Sequence, residues 1–259
     1  MIHRSIAAQM YTVRQAAAED FPRALQRVAE LGYTGVELAG TFGLTTTELT
    51  QTLNGLSLKC VSAHVPLADL RHNLSREIDK YLAVGANFLI CPWLSPEQRG
   101  GEADYRTLAA DLNRIGEVCR ASGLQLCYHH HDFELVQFDG KYALDILLEE
   151  SDPTHVQLEA DTYWLKFGGE DPAAYIRRWP GRVPLIHLKD MTATQPPTFA
   201  EVGTGILDWP HIFEAAGVVG THWYIVEQDI CPGDPFESLR ISFERLHVIL
   251  SDQGEQKIR

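Results

Sequence analysis

With 259 residues and 45% hydrophobic content, the chain can bury one large core, and a barrel of eight β/α units typically takes about 250 residues. Its formal net charge of −13, with no run of Lys or Arg, argues against nucleic acid or an anionic membrane as partner, and no apolar run approaches the roughly 18–20 residues of a membrane span. The five scattered cysteines contain no CxxC pair and read as reduced thiols; together with an N-terminus lacking the apolar core of a signal peptide, they set the expectation of a cytoplasmic protein.

The first strand is expected over residues 5–11, SIAAQMY. A helix follows over about 20–31, where Phe21, Leu25, Val28 and Leu31 recur at helical spacing before Gly32. A second strand is expected over 33–39, a helix opened by capping threonines over 45–56, and a third strand over 58–65, ended by Pro66. Residues 75–84 read as a helix stopped at Gly85, 87–93 as the fourth strand, and 103–121 as the longest helix, stopped at Gly123. The fifth strand, 124–134, carries LQLCYHHHDFE. Then come a helix over 142–149, a strand over 155–161, a helix over 172–179 and a seventh strand over 183–189. A loop of about 20 residues rich in Thr, Pro and Gly leads to a short helix over 210–216, an eighth strand over 222–228 and a closing helix over 236–250. Strict alternation of strand and helix implies a parallel sheet, and eight units in this length imply one α/β domain over 1–259, a closed (β/α)8 TIM barrel. An open doubly wound sheet ranks second, because no Gly-x-Gly-x-x-Gly follows the first strand.

In such a barrel chemistry gathers at the C-terminal strand ends. There the chain places Gln9, Glu37, His64, then His129, His131 and Glu134, then Glu159 with Asp161, His187 with Lys189, and Glu227 with Asp229. Residues two apart on a strand share a face, so His129 and His131 should both point inward and His130 toward the helices. Buried charges are costly unless paired or bound to metal, and a metal with a polar substrate accounts for the set.

The order and spacing of AQMYTVR, GVEL, SAHVPL, CYHHHDFE, LEADTYW, PGRVPLIHLKD, EVGTGILDWP and WYIVEQD resemble the xylose-isomerase-like barrels over nearly the whole chain. The likeness is to the sugar isomerase/epimerase branch, which includes ketose 3-epimerases and 2-keto-myo-inositol dehydratases. It implies one divalent ion, Mn²⁺ before Mg²⁺, Co²⁺ or Zn²⁺, held by Glu134, Asp161, His187 and Glu227. It also implies that Glu134 and Glu227 form the acid/base pair across the substrate carbon. His131 is expected as an auxiliary acid/base group, and Gln9, Glu37, His64, His129, Trp164, Lys189 and Asp229 as substrate contacts.

The expected function is metal-dependent isomerisation or epimerisation of a keto-sugar or polyol through an enediolate, with β-elimination from an inosose or 3-keto-glycoside as the alternative. Trp164 stands where the resembling epimerases and DNA-cutting AP endonucleases carry His, so with the acidic net charge a nuclease ranks low; a non-catalytic sugar-binding barrel ranks low because all four candidate ligands are present. The expected partner is a small sugar or polyol, with room for a homo-oligomer. Because Gly203-Thr204-Gly205 has acidic and apolar neighbours, it reads as a structural turn or lid rather than a phosphate site, which favours an unphosphorylated substrate.

Overall fold

The computed structural model describes residues 5–256. Eight parallel strands close on themselves: β1 Ser5–Gln9, β2 Gly35–Leu38, β3 Lys59–His64, β4 Phe88–Cys91, β5 Gln125–His129, β6 Val156–Asp161, β7 Leu185–Leu188 and β8 Trp223–Val226. Each pairs with its sequence neighbours, and β1 closes the ring by pairing with both β2 and β8. The expected TIM barrel is the fold.

Local chemistry explains the helix starts. Thr45 and Glu48 form a reciprocal capping box at the Thr46–Gly55 helix. Asp20 caps Phe21–Glu30, with Pro22 in its first turn, and Asp171 caps Pro172–Arg177 in the same way. The helix after the long loop is Trp209–Val219, earlier and longer than expected, because Asp208 accepts the His211 N–H at its start. Three helices of six residues each (Arg14–Glu19, Leu67–His72 and Thr162–Phe167) were not foreseen, and the long loop contains a small hairpin pairing Asp190–Met191 with Phe199–Ala200.

Two apolar cores follow from the period of the strands. The larger lies between strands and helices. The smaller fills the barrel interior with Ala7, Val61, Phe88, Ile90, Cys127, Leu185 and Ile225. Two residues farther along the same inward faces stand Gln9, His129, His187 and Glu227. The barrel is thus plugged by hydrocarbon below and lined by polar groups above.

Candidate metal and active site

The register sets the polar layer. Gln9 lies beside Glu37 and Glu37 beside Ser62, where β2 and β3 shift register between Val36 and Glu37. Farther round, His129 pairs with Glu159 and Asp161 with His187. Four ligand atoms from His129, Asp161, His187 and Glu227 lie within 4.8 Å of one another, all on buried residues. His129 Nε2 is 3.2 Å from Asp161 Oδ2, and His187 Nδ1 is 2.8 Å from Glu227 Oε2.

Both imidazoles are oriented by their other nitrogen. His129 Nδ1 lies 3.2 Å from the Pro92 carbonyl and His187 Nε2 lies 2.7 Å from Glu37 Oε1. A proton on each of those nitrogens leaves the facing one free to ligate, the usual second layer of a metal centre. Burial, reinforced by His187 and Lys189, holds His129 well below the ordinary imidazole range, hence neutral. The carboxylates of Glu37, Glu159, Asp161, Glu227 and Asp229 gather around a single lysine, Lys189, and three imidazoles. That concentration of negative charge, with two nitrogen and two oxygen donors converging, fits a divalent cation.

Lys189 is fully enclosed. Its Nζ lies 2.6 Å from Glu227 Oε2, 3.0 Å from Asp161 Oδ2 and 3.2 Å from Asp229 Oδ2. Burial opposes its charge, but Asp161, Glu227 and Asp229 together hold it well above the usual lysine range. Asp229 is the most open member of this group, and burial raises its carboxyl to about 6.

Glu134 does not join these residues. β5 ends at His129, and the chain turns into a 3-10 segment, Phe133–Leu135, so the alternation of the strand does not extend to Glu134. Its buried carboxylate accepts the Tyr128 hydroxyl at 2.6 Å and the His131 N–H at 2.8 Å. Tyr128 belongs to the outer core, which places Glu134 behind the wall that His129 lines. Burial raises the Glu134 carboxyl to about 7 despite those two hydrogen bonds. A carboxyl raised on folding contributes stability that is complete below its ordinary value of 4.5 and is lost as pH rises through about 7. Glu134→Gln is therefore expected to flatten the fall in unfolding free energy between about pH 4.5 and 7, by an amount on the order of 3 kcal/mol. An unchanged slope would contradict this.

His131 has left the strand, yet its ring lies 5.0 Å from that of His129 and 5.2 Å from that of Trp164, and it stacks on Phe133. His131 Nδ1 and Trp164 Nε1 are both buried without a protein hydrogen-bond partner. Burial, then His129 and Lys189, keep His131 well below the ordinary imidazole range. His130 is bonded within the wall: its Nε2 accepts the Asp161 N–H at 3.0 Å.

Gln9 and Glu37, expected to meet substrate, lie fully buried within this layer and bond to each other. His64 contacts Glu37 and Glu159, at 2.8 and 3.3 Å, and those two carboxylates with His64 and His187 form a second converging group. Ser62, which the sequence places with His64 at the end of the third strand, belongs with them and donates to Glu37, and the shifted register sets it there. The Gly203 and Gly205 amides are both spent on Asp190 Oδ2, at 2.9 and 3.1 Å. A Cβ on Gly205 would fall 2.3 Å from the Met191 carbonyl oxygen. Close approach of backbone therefore accounts for this glycine.

Residues 25–244 match the family model described as the xylose isomerase-like TIM barrel. An inosose dehydratase from Geobacillus thermodenitrificans is 32% identical over 155 residues, covering 52% of this chain and 51% of that one, so the match spans about half the length of the relative. A sugar phosphate isomerase/epimerase structure from Parabacteroides distasonis superposes with a TM-score of 0.82 at 23% identity, covering 95% of this chain and 94% of that one. An IolI protein with a bound zinc atom superposes with a TM-score of 0.75 at 13% identity, covering 96% and 98%. Likeness at these identities to solved structures speaks for the fold, and the family match covers most of the chain: the protein belongs to the xylose isomerase-like TIM-barrel family.

Proposed function

We propose that the chain is a divalent-metal-dependent lyase that eliminates water from a keto-polyol of the inosose class. His129, Asp161, His187 and Glu227 would hold the ion; with two imidazoles in the set, Mn²⁺, Co²⁺ and Zn²⁺ suit it better than Mg²⁺. Bound there, such an ion would supply Lewis acidity at the substrate carbonyl and so acidify the neighbouring C–H.

The chain's own groups complete the chemistry. His131, neutral and with an unpartnered buried nitrogen, takes the α-proton. The C–H electron pair becomes the new double bond as the β C–O bond breaks, and the Lys189 ammonium protonates the departing hydroxyl to water. His131 then holds one proton more and Lys189 one fewer, and exchange with solvent resets both. The Trp164 indole N–H is placed to hold a ring hydroxyl. The spent Gly203 and Gly205 amides support an unphosphorylated substrate.

The carrying observation is the seclusion of Glu134. Without it, the two carboxylates flanking one carbon that epimerisation uses are not assembled, whereas elimination needs only the neutral imidazole and the ammonium on one side. The relatives named inosose dehydratase support the same substrate class. Isomerisation or epimerisation stands second, favoured by Asp229, whose carboxyl at the rim is raised to about 6 and can return a proton. Incubation with Mn²⁺ and an inosose in D₂O separates the two. Growth of ultraviolet absorbance from a conjugated or enolised dione, without an epimer by NMR, is expected. A deuterated epimer with no dehydrated product would sink the lyase reading.

A further inference from the structure

The buried carboxylate of Glu37 is the most heavily engaged acid in the barrel. Its Oε1 accepts Gln9 Nε2 at 2.6 Å, His187 Nε2 at 2.7 Å and His64 Nε2 at 2.8 Å, and its Oε2 accepts the Ser62 hydroxyl. Both oxygens are engaged within the protein, and Glu37 is wholly enclosed. Among the groups it touches is His187, one of the four converging ligands. His129 has its remote nitrogen fixed by a main-chain carbonyl, which no substitution removes. His187 has the equivalent bond from a side chain on a different strand.

We propose that Glu37 is a positioning residue: by accepting the Nε2 proton of His187 it fixes that ring's tautomer and plane, so that Nδ1 presents a lone pair to the divalent ion. The inference rests on the metal reading of the site. Gln9, Ser62 and His64 form the platform that holds Glu37 in place, and the register shift at Val36/Glu37 sets Ser62 beside it. Carboxylates that orient ligating imidazoles contribute about 10–100-fold to metal affinity. The rival for the same atoms is a second cation held by Glu37, His64, Glu159 and His187, encouraged by the unpartnered Oε1 of Glu159. The dense hydrogen bonding of Glu37 favours the positioning role.

Zinc affinity of the full chain, measured by competition with a chromophoric chelator, tests this, together with the ¹⁵N resonances of the His187 ring in the zinc-loaded protein. Wild type should bind one Zn²⁺, with His187 protonated at Nε2. Glu37→Gln should bind about 10–100-fold more weakly and lose the slow exchange of that proton. Ser62→Ala removes one bond of the platform but leaves the Glu37–His187 contact, and should weaken binding much less than Glu37→Gln. Should Glu37→Gln not fold, Glu37→Asp, charged but one methylene short of His187, is read in its place and should weaken binding similarly. Wild-type affinity in the Glu37 variant, an equal loss in Ser62→Ala, or two Zn²⁺ per wild-type chain would overturn the positioning role. A wild type that binds no zinc, manganese or cobalt would overturn the metal reading beneath it.

Discussion

Asp161→Asn is expected to lower kcat/KM for the elimination by about 10³-fold or more, with little change in the urea midpoint of the metal-free protein. Asp161 has two jobs on its two oxygens. Oδ2 faces His129 Nε2 at 3.2 Å and Lys189 Nζ at 3.0 Å, in the converging group. Oδ1 accepts the Trp164 N–H at 3.0 Å and caps the Thr162–Phe167 helix. Asparagine keeps an acceptor for the cap, whose loss on truncation to alanine would cost about 1 kcal/mol. It loses the charge needed for the ion, and an ion polarising a carbonyl is worth several kcal/mol in the transition state, at about 1.36 kcal/mol per tenfold in rate. Steady-state rates with added Mn²⁺, read beside urea unfolding, separate the two roles. Loss of stability equal to the loss of rate would make Asp161 a structural residue only.

Asp190→Ala should produce the largest loss of stability. This fully buried carboxylate organises the long loop after β7. Oδ1 accepts the N–H groups of Met191 and Leu207, at 2.8 and 3.1 Å, and Oδ2 accepts those of Gly203 and Gly205 and the Trp209 indole at 2.8 Å. Each donor left buried and unpaired costs about 1–3 kcal/mol, and partial relaxation of the loop leaves a total of about 4 kcal/mol or more. Asparagine should rescue little, since its amide would turn a donor toward donors already there. Urea denaturation measures the loss, and limited proteolysis should cut within residues 191–208 first. An unfolding free energy within about 0.5 kcal/mol of wild type, the range of a neutral surface change, would contradict this.

Much of this molecule is readable in its sequence, because two periods carry it. The alternation of strand and helix specified the barrel, and Asp161, His187 and Glu227 sit where inward faces reach the ends of their strands or just beyond. Period two fails where a strand stops. Glu134 is a ligand by what the resemblance implies, whereas here the backbone turns after His129, so that His129 stands beside Asp161 and Glu134 bonds Tyr128. The platform of Gln9, Glu37 and Ser62 depends on register across three strands, including an irregularity that no single segment encodes. Arg14–Glu19, Leu67–His72 and Thr162–Phe167 are too short to show a helical repeat, whereas Pro172–Arg177, equally short, is marked by Asp171 and Pro172 at its start. The start of the Trp209–Val219 helix was legible: Asp208 followed by Pro210 is a helix opening.

The most direct measurement is metal stoichiometry in three proteins prepared alike: wild type, His129→Ala and Glu134→Gln, each freed of metal, titrated with Mn²⁺ and counted by the loss of the free-ion EPR signal. The geometry predicts one ion per wild-type chain, one in Glu134→Gln at similar affinity, and a loss of at least tenfold in affinity in His129→Ala. Binding abolished by Glu134→Gln and retained in His129→Ala would contradict the site described here.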